Sequence, residues 1–290
     1  MKNQSSLTAE YMALFRALES LRPAPERLFN DPLARLFLHE WRKSFYALAQ
    51  VGLGRRLVES LLDRKAPGAR AAGIARTCWI DEEAAQALSA IPQLVLLGAG
   101  FDTRAYRLAE AQQAITFELD HPETSRVKQV ILRQEFKTLP PQVRFVAIDF
   151  NRQSISDALR DAGFDPARPA CFIWEGVTNY LTAEAIDATL RQIAQSAAGS
   201  VLLFTYIHRD VLEHPERFFG AEKMMPRLQS YGEPWTFGLD PDEVEGYLAV
   251  RGLRLTRDLA VSQVWEAAGR PLAGTHGYEF YRLASARVER

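Results

Sequence analysis

The sequence predicts an α/β protein. It has a Rossmann-like, mostly parallel sheet with helices on both faces, a helical N-terminal cap, a lid insertion and an antiparallel C-terminal edge hairpin. Three observations predict this. Five short runs rich in β-branched and aromatic residues follow Pro92: QLVLLGAG, AITFELD, VRFVAIDF, ACFIWEGV and SVLLFTYI. Such runs suit strands buried on both faces of a parallel sheet. Segments of helical spacing separate them, at about 104–112, 122–136, 153–163 and 182–197, and this alternation is that of βαβ units. The first run ends in Gly98-Ala99-Gly100, a turn that lets the backbone approach a ligand without a Cβ in the way.

Taken in order, the first ninety residues read as helices. Tyr11, Leu14, Phe15, Leu18 and Leu21 recur at helical spacing, with Thr8 as a candidate N-cap. Pro23 and Pro25 stop that helix. Asp31-Pro32 opens another, with Leu33, Leu36 and Phe37. A longer pattern runs through Leu48, Val51, Leu57, Leu61 and Leu62, interrupted near Gly52 and Gly54, and Asp81 is a candidate cap for a helix reaching about Ile91. Residues 1–91 therefore read as a cap of the same domain unit, and 92–290 as the core. After the fifth strand run, about 208–239 reads as irregular and holds Phe218, Phe219, Met224, Met225, Trp235 and Phe237. A long connection off a strand end suits a substrate-covering lid, and the alternative is a surface excursion whose aromatics patch the core. Residues 240–251 look helical, and LRLTRDLAV and GYEFYRLASAR follow as strands without a helix-length crossover, so an antiparallel edge pair is expected.

Composition narrows the class. Apolar residues are 47% and charged residues 24% of 290, and 35 basic against 36 acidic side chains give a formal charge of -1. That balance supplies no basic field for nucleic acid. Cys78 and Cys171 lie outside any Cys/His ligand pattern, so no metal is expected and both are read as reduced, small apolar residues. The N-terminus lacks the apolar run of a signal peptide, and no stretch approaches the ~20 apolar residues of a membrane span. A cytoplasmic protein acting on a small molecule, without membrane or nucleic-acid partners, is the expectation, and the oligomeric state is open.

The chemistry gathers at the strand ends. Glu118 and Asp120 close the second strand, 18 and 20 residues after Gly100, and an acid near this separation commonly accepts from ribose hydroxyls. Asp120 is the candidate ribose ligand, and period-two alternation puts Glu118 on the same side as its neighbour. Asp149 closes the third strand and Glu175 the fourth. Acidic side chains gathered at one edge need donors or cations. An adenine amino group, ribose hydroxyls and a sulfonium provide them. A pyrophosphate suits the acidic rim less, which weighs against a nicotinamide dinucleotide and an oxidoreductase without excluding them.

The segments TAEYMALFRALES, LFNDPLARLF, ARTCWIDE, VLLGAGFDTRAYRL, FELDHPETSRVKQ, VAIDF and WEGVTNYLT span residues 8 to 182. In that order they resemble the leucine carboxyl methyltransferase-like family of enzymes dependent on S-adenosylmethionine (SAM), which includes bacterial O-methyltransferases of polyketide biosynthesis. The resemblance implies a Rossmann-like SAM methyltransferase fold and roles at matching positions. Arg76 pairs with the methionine carboxylate. Gly98 and Gly100 lie against the methionine portion, with Asp102 nearby. Asp120 takes the ribose, Asp149 and Phe150 contact the adenine, Glu175 sits beside the methionine amino group, and Tyr180 lies near the methyl-transfer region. The eukaryotic members recognise a protein C-terminus, and nothing in the substrate-facing segments here carries that partner over.

Methyl transfer from a sulfonium is an in-line displacement in which the protein aligns acceptor and sulfur. A carboxylate acceptor is already ionised at neutral pH, whereas a phenol or alcohol needs a proton acceptor. Of His39, His121, His208, His214 and His276, His208 directly follows the fifth strand and is the candidate base. Tyr11, Arg16 and Arg209 are candidate anchors for an acceptor anion, and Met225 and Trp235 candidate walls of its site. The leading expectation is a carboxyl O-methyltransferase of secondary metabolism. The alternatives are a phenol or hydroxyl O-methyltransferase and a non-catalytic SAM-binding protein.

Overall fold

The computed structural model describes residues 7–150, 153–270, 272 and 276–289. Seven strands form one sheet: β1 (Gln93–Leu97), β2 (Ile115–Asp120), β3 (Val143–Ala147), β4 (Ala170–Trp174), β5 (Val201–Ile207), β6 (Leu253–Ala260) and β7 (Tyr281–Val288). Their spatial order is β3-β2-β1-β4-β5-β7-β6. The first five pair in parallel, and β7 is antiparallel to both β5 and β6. Every residue of β1, β4 and β5 is buried, which explains why their sequences are continuous apolar runs rather than alternating ones. The order reverses beside β1, between β2 and β4, and such a switch point opens a crevice at the strands' C-terminal ends.

Helices precede and cover this sheet. In chain order they are α1 (Leu7–Ser20), α2 (Trp41–Ala49), α3 (Gly52–Lys65), α4 (Ala69–Leu88), α5 (Arg104–Arg107), α6 (Ala109–Gln113), α7 (Pro122–Phe136), α8 (Ile155–Asp161), α9 (Ala183–Ile193), α10 (Asp210–Glu213), α11 (Ala221–Tyr231), α12 (Val244–Ala249) and α13 (Val261–Ala267). Alternation along the strands sorts the core into two layers. Leu94, Leu96, Ile173 and Leu203 pack with Ala75, Trp79, Ile80 and Ala84 of α4. Val95, Leu97, Phe172 and Phe204 face the other way, onto Ile155, Leu159, Ile186, Leu190 and Leu248 of α8, α9 and α12. A third cluster joins Leu14, Leu18, Phe37, Val58 and Leu62 of the N-terminal segment to Phe101, Ala105, Tyr106 and Leu132.

Several local expectations are corrected. Thr8 lies inside the first turn of α1, and its hydroxyl donates to Glu233 Oε2 at 2.6 Å. The segment after Asp31-Pro32 forms only a 3-10 turn, Ala34–Phe37. Asp81 does not cap a helix. It sits within α4, buried, and pairs with Arg104 and Arg107. The segment 208–239 is not irregular throughout, because it holds α10, a 3-10 turn and the eleven-residue α11. The expected antiparallel C-terminal pair does lie at the sheet edge, with β7 beside β5 and β6 outermost, and the short α13 follows β6 directly. No described helix is long and apolar enough to cross a membrane.

Candidate active site

The cleft opens where β1 turns. Gly98 has φ +71° and Gly100 φ +42°, backbone that side-chain-bearing residues adopt with strain. A Cβ on Gly98 would lie 2.5 Å from Val177 Cγ2, whereas one on Gly100 would meet nothing closer than 3.8 Å. The turn is therefore packed on the Val177 side and open beside Gly100. Its Gly100 N–H donates to Asp120 Oδ2 across the ends of β1 and β2, and the His121 N–H donates to Oδ1. Burial nonetheless pushes the Asp120 carboxyl above the usual carboxylate range, outweighing those two bonds. Hydroxyl donors from a ligand would favour its ionised form. Asp149 and Phe150, just beyond β3, line the same cleft.

A buried ionic network supports this floor. Arg104, 2% exposed, reaches Asp81 Oδ1 at 2.7 Å and Glu175 Oε2 at 2.8 Å, and also pairs with Asp102. Burial alone would raise the Asp102 carboxyl, but Arg104, then Lys128, and the Arg104 N–H lower it to about 2. Glu175 is likewise held below the usual range, with Arg104 and then Arg76 outweighing burial. Arg76, in α4, sets Nε 3.3 Å from Glu175 Oε1, and its guanidinium lies 4.4 Å from the Tyr281 ring centroid, a cation–π contact that fixes its plane. Arg76 and Glu175 thus present opposite charges side by side. A zwitterionic amino-acid group offers an anion to one and a cation to the other, so it can replace their mutual contact without leaving a buried charge unpaired. On this observation the residues fit the methionine portion of SAM.

The other half of the cleft, whose volume is about 490 Å³ in all, is walled by Tyr11, Met12 and Phe15 of α1, Leu62 of α3, and Met224, Leu228 and Tyr231 of α11, with Tyr180, Trp235 and Tyr278. This wall is apolar because α1 and α11 present amphipathic faces inward. Gly220 and Gly232, both at positive φ, bound α11. Burial, then Tyr281, pushes the Tyr180 phenol up to about 12, so at neutral pH it is a neutral hydrogen-bond group.

The structure brings together Arg76, Gly98, Gly100, Asp102, Asp120, Asp149, Phe150, Glu175, Tyr180, Tyr11, Arg16 and Trp235 around one cleft. It separates three residues from it. His208 faces Phe218, 5.3 Å between ring centroids, and its Nδ1 accepts from the Asp210 N–H. Arg209 lies on the surface, paired with Glu243. Met225 packs against the core while its neighbour Met224 lines the cleft. None of the three stands at the cleft wall, so the expected roles of His208 as base, Arg209 as anchor and Met225 as wall are corrected. Arg16 lines the cleft, but its guanidinium is committed to Asp31 at 2.8 Å and the Phe101 carbonyl at 2.6 Å. It ties α1 to the glycine turn instead of anchoring a substrate. Glu118 does not support Asp120 but pairs with Lys128 at 2.8 Å, deep beneath α7. Sequence reasoning missed Arg104, though it follows the glycine turn directly. It also missed Lys65, Lys223, Arg227 and Tyr281, which only the fold brings near the cleft.

This sheet, with its glycine turn and acidic strand ends, taken with the family match and the relatives below, places the protein among the SAM-dependent methyltransferases, and SAM is the cofactor. The leucine carboxyl methyltransferase family model matches residues 9–194, and the chain belongs to that family. A Streptomyces coelicolor protein named "Putative S-adenosyl-L-methionine-dependent methyltransferase" is 34% identical over 92% of this chain and 88% of its own. A Mycobacterium tuberculosis protein of the same name is 33% identical over 77% of this chain and 71% of its own. The fold matches a solved "putative methyltransferase" from Thermobifida fusca, with TM-score 0.61, 16% identity, and 99% and 96% of the two chains covered. It also matches a DUF574 family protein from Streptomyces avermitilis, with TM-score 0.57, 17% identity, and 94% and 96% covered.

Proposed function

We propose that the chain methylates a carboxylate of a small, largely apolar molecule, of the polyketide-like kind, to a methyl ester. The bound cofactor supplies an activated methyl on a sulfonium. A carboxylate oxygen forms the new C–O bond as the C–S bond breaks, with the electron pair passing to sulfur. The observation that carries this reading is that, among the described residues, no histidine or carboxylate lines the apolar half of the cleft. Among the described residues His121 is the only histidine lining the cleft, and it follows Asp120 on the cofactor side. Tyr180 is a neutral phenol. A site without a proton acceptor suits an acceptor already ionised at neutral pH. The protein's part is then to hold the acceptor against the apolar wall, exclude water and align it with the sulfur.

The test is methyl transfer from methyl-labelled SAM to matched panels of aryl and alkyl carboxylic acids and of phenols. Label in carboxylic acids, released as methanol by mild base, is the expected result. Base-stable label in the phenols alone would contradict it.

A further inference from the structure

The four arginines that line the inner cleft are each neutralised by a carboxylate: Arg16 by Asp31, Arg76 by Glu175, and Arg104 and Arg107 by Asp81. The three cations at the acceptor half are different. Lys65 ends α3, and Lys223 and Arg227 stand one turn apart on α11, where i and i+4 residues share a face. The Arg227 Nη1 donates to the Lys65 carbonyl, which holds the two helices together at this point. Tyr231 and Tyr11 line the cleft beside Lys65 and Arg227, and burial raises the Tyr231 phenol above its ordinary range. Lys65 Nζ has an aromatic neighbour, 5.4 Å from the Trp41 ring centroid. Among the described residues, no ion pair joins any of these three cations to a carboxylate. Lys65 and Lys223 are exposed and Arg227 half-buried, so their charge stands at the mouth of the cleft beside its apolar wall, where an anion on a bound acceptor can meet it.

We propose that Lys65, Lys223 and Arg227 form an anion-binding rim that selects acceptors carrying a second negative group, a carboxylate, sulfonate or phosphate, at the end remote from the methylated oxygen. This rests on reading the apolar half of the cleft as the acceptor site. The apolar body would lie along Met12, Leu62, Met224 and Leu228 with its far anion at the rim. The rim would set KM and substrate choice, since it stands apart from the reacting atoms.

The experiment uses two fluorescent probes on protein saturated with S-adenosylhomocysteine: anilinonaphthalene sulfonate, and phenylnaphthylamine, the same aromatic body without its anion. Wild type should bind the sulfonate about tenfold more tightly than the neutral probe, and this preference should shrink as salt rises from about 0.01 M to about 1 M. Lys65→Gln with Lys223→Gln, which keeps the Arg227 contact to the Lys65 carbonyl, should cut the preference to about threefold or less while leaving the neutral probe and S-adenosylhomocysteine binding unchanged. A preference that stays above about threefold in the variant, or that is insensitive to salt in wild type, overturns the rim. So does a parallel loss of both probes in the variant, which would mean packing rather than charge. Failure of wild type to bind even the neutral probe overturns the acceptor-site reading itself, and the rim with it.

Discussion

The two halves of the cleft are built by different means. The cofactor half is made of strand ends and the turns that follow them, and much of its charge is paired within the protein: Arg104 alone meets Asp81, Asp102 and Glu175. The half we assign to the acceptor is made of helix faces from α1, α3 and α11, and its wall is apolar, with Lys65, Lys223 and Arg227 at the edge. A fixed, pre-charged floor suits one invariant ligand. A helical wall that can be re-lined without touching the sheet suits an acceptor that differs from enzyme to enzyme.

The sharpest way to break this comparison is to attack the floor. Arg104→Met leaves Asp81, which is buried, and Asp102 and Glu175, which are partly buried, without their common cation, and removing one partner of a buried pair costs about 3–5 kcal/mol. Thermal unfolding followed by circular dichroism should show Tm falling by roughly 10 °C, at about 2–4 °C per kcal/mol for a chain of this size. An unchanged Tm would mean the network is not structural.

Acid separates the two kinds of carboxylate within the floor. Asp102 is depressed from 3.8 to about 2 on folding, so its contribution to stability is complete above 3.8 and is lost only as pH falls towards about 2. Asp120 is raised above 3.8. The ribose role expected of Asp120 requires the ionised form, so on that expectation affinity for S-adenosylhomocysteine should fall on acidification at a higher pH than that at which Asp102 is neutralised. Calorimetric titrations across the acid range check this, and affinity that stays flat until the fold melts would remove Asp120 from ribose binding.

What was legible in the sequence follows the same division. The strand runs, the glycine turn and the place of Asp120, Asp149 and Glu175 at the cleft were readable because each is local: a strand followed immediately by the residue its end presents. Glu118 was misjudged because alternation fixes the side a residue faces but not its depth, and one pleat deeper it meets Lys128 instead of the cleft. The wall was harder. Pro226 within α11 and glycines at both its ends disguised a helix as a loop. Arg16 read as a free anchor because its partner Asp31 and the Phe101 carbonyl are joined to it only by the fold. Lys65 and Arg227 lie 162 positions apart, and no periodicity links them.

Smaller effects sharpen the boundary of the site. Tyr180→Phe removes one hydroxyl from the acceptor half. It should leave S-adenosylhomocysteine affinity within about twofold and stability within about 1.5 kcal/mol, while lowering methyl transfer to any acceptor found. Equal transfer would show that the phenol is only wall. Arg209→Ala, on the surface beside Glu243, should change neither Tm nor cofactor affinity nor transfer, and any loss of transfer would return it to the site.

The division of the cleft is tested most directly by titrating wild type, Asp120→Ala and Lys65→Gln with S-adenosylhomocysteine in one calorimetric series. Wild type and Lys65→Gln should bind alike, and Asp120→Ala at least about tenfold more weakly, the loss expected of a charged hydrogen-bond acceptor. Undiminished binding by Asp120→Ala, or an equal loss in Lys65→Gln, would contradict the separation of a charged cofactor floor from a helical acceptor wall.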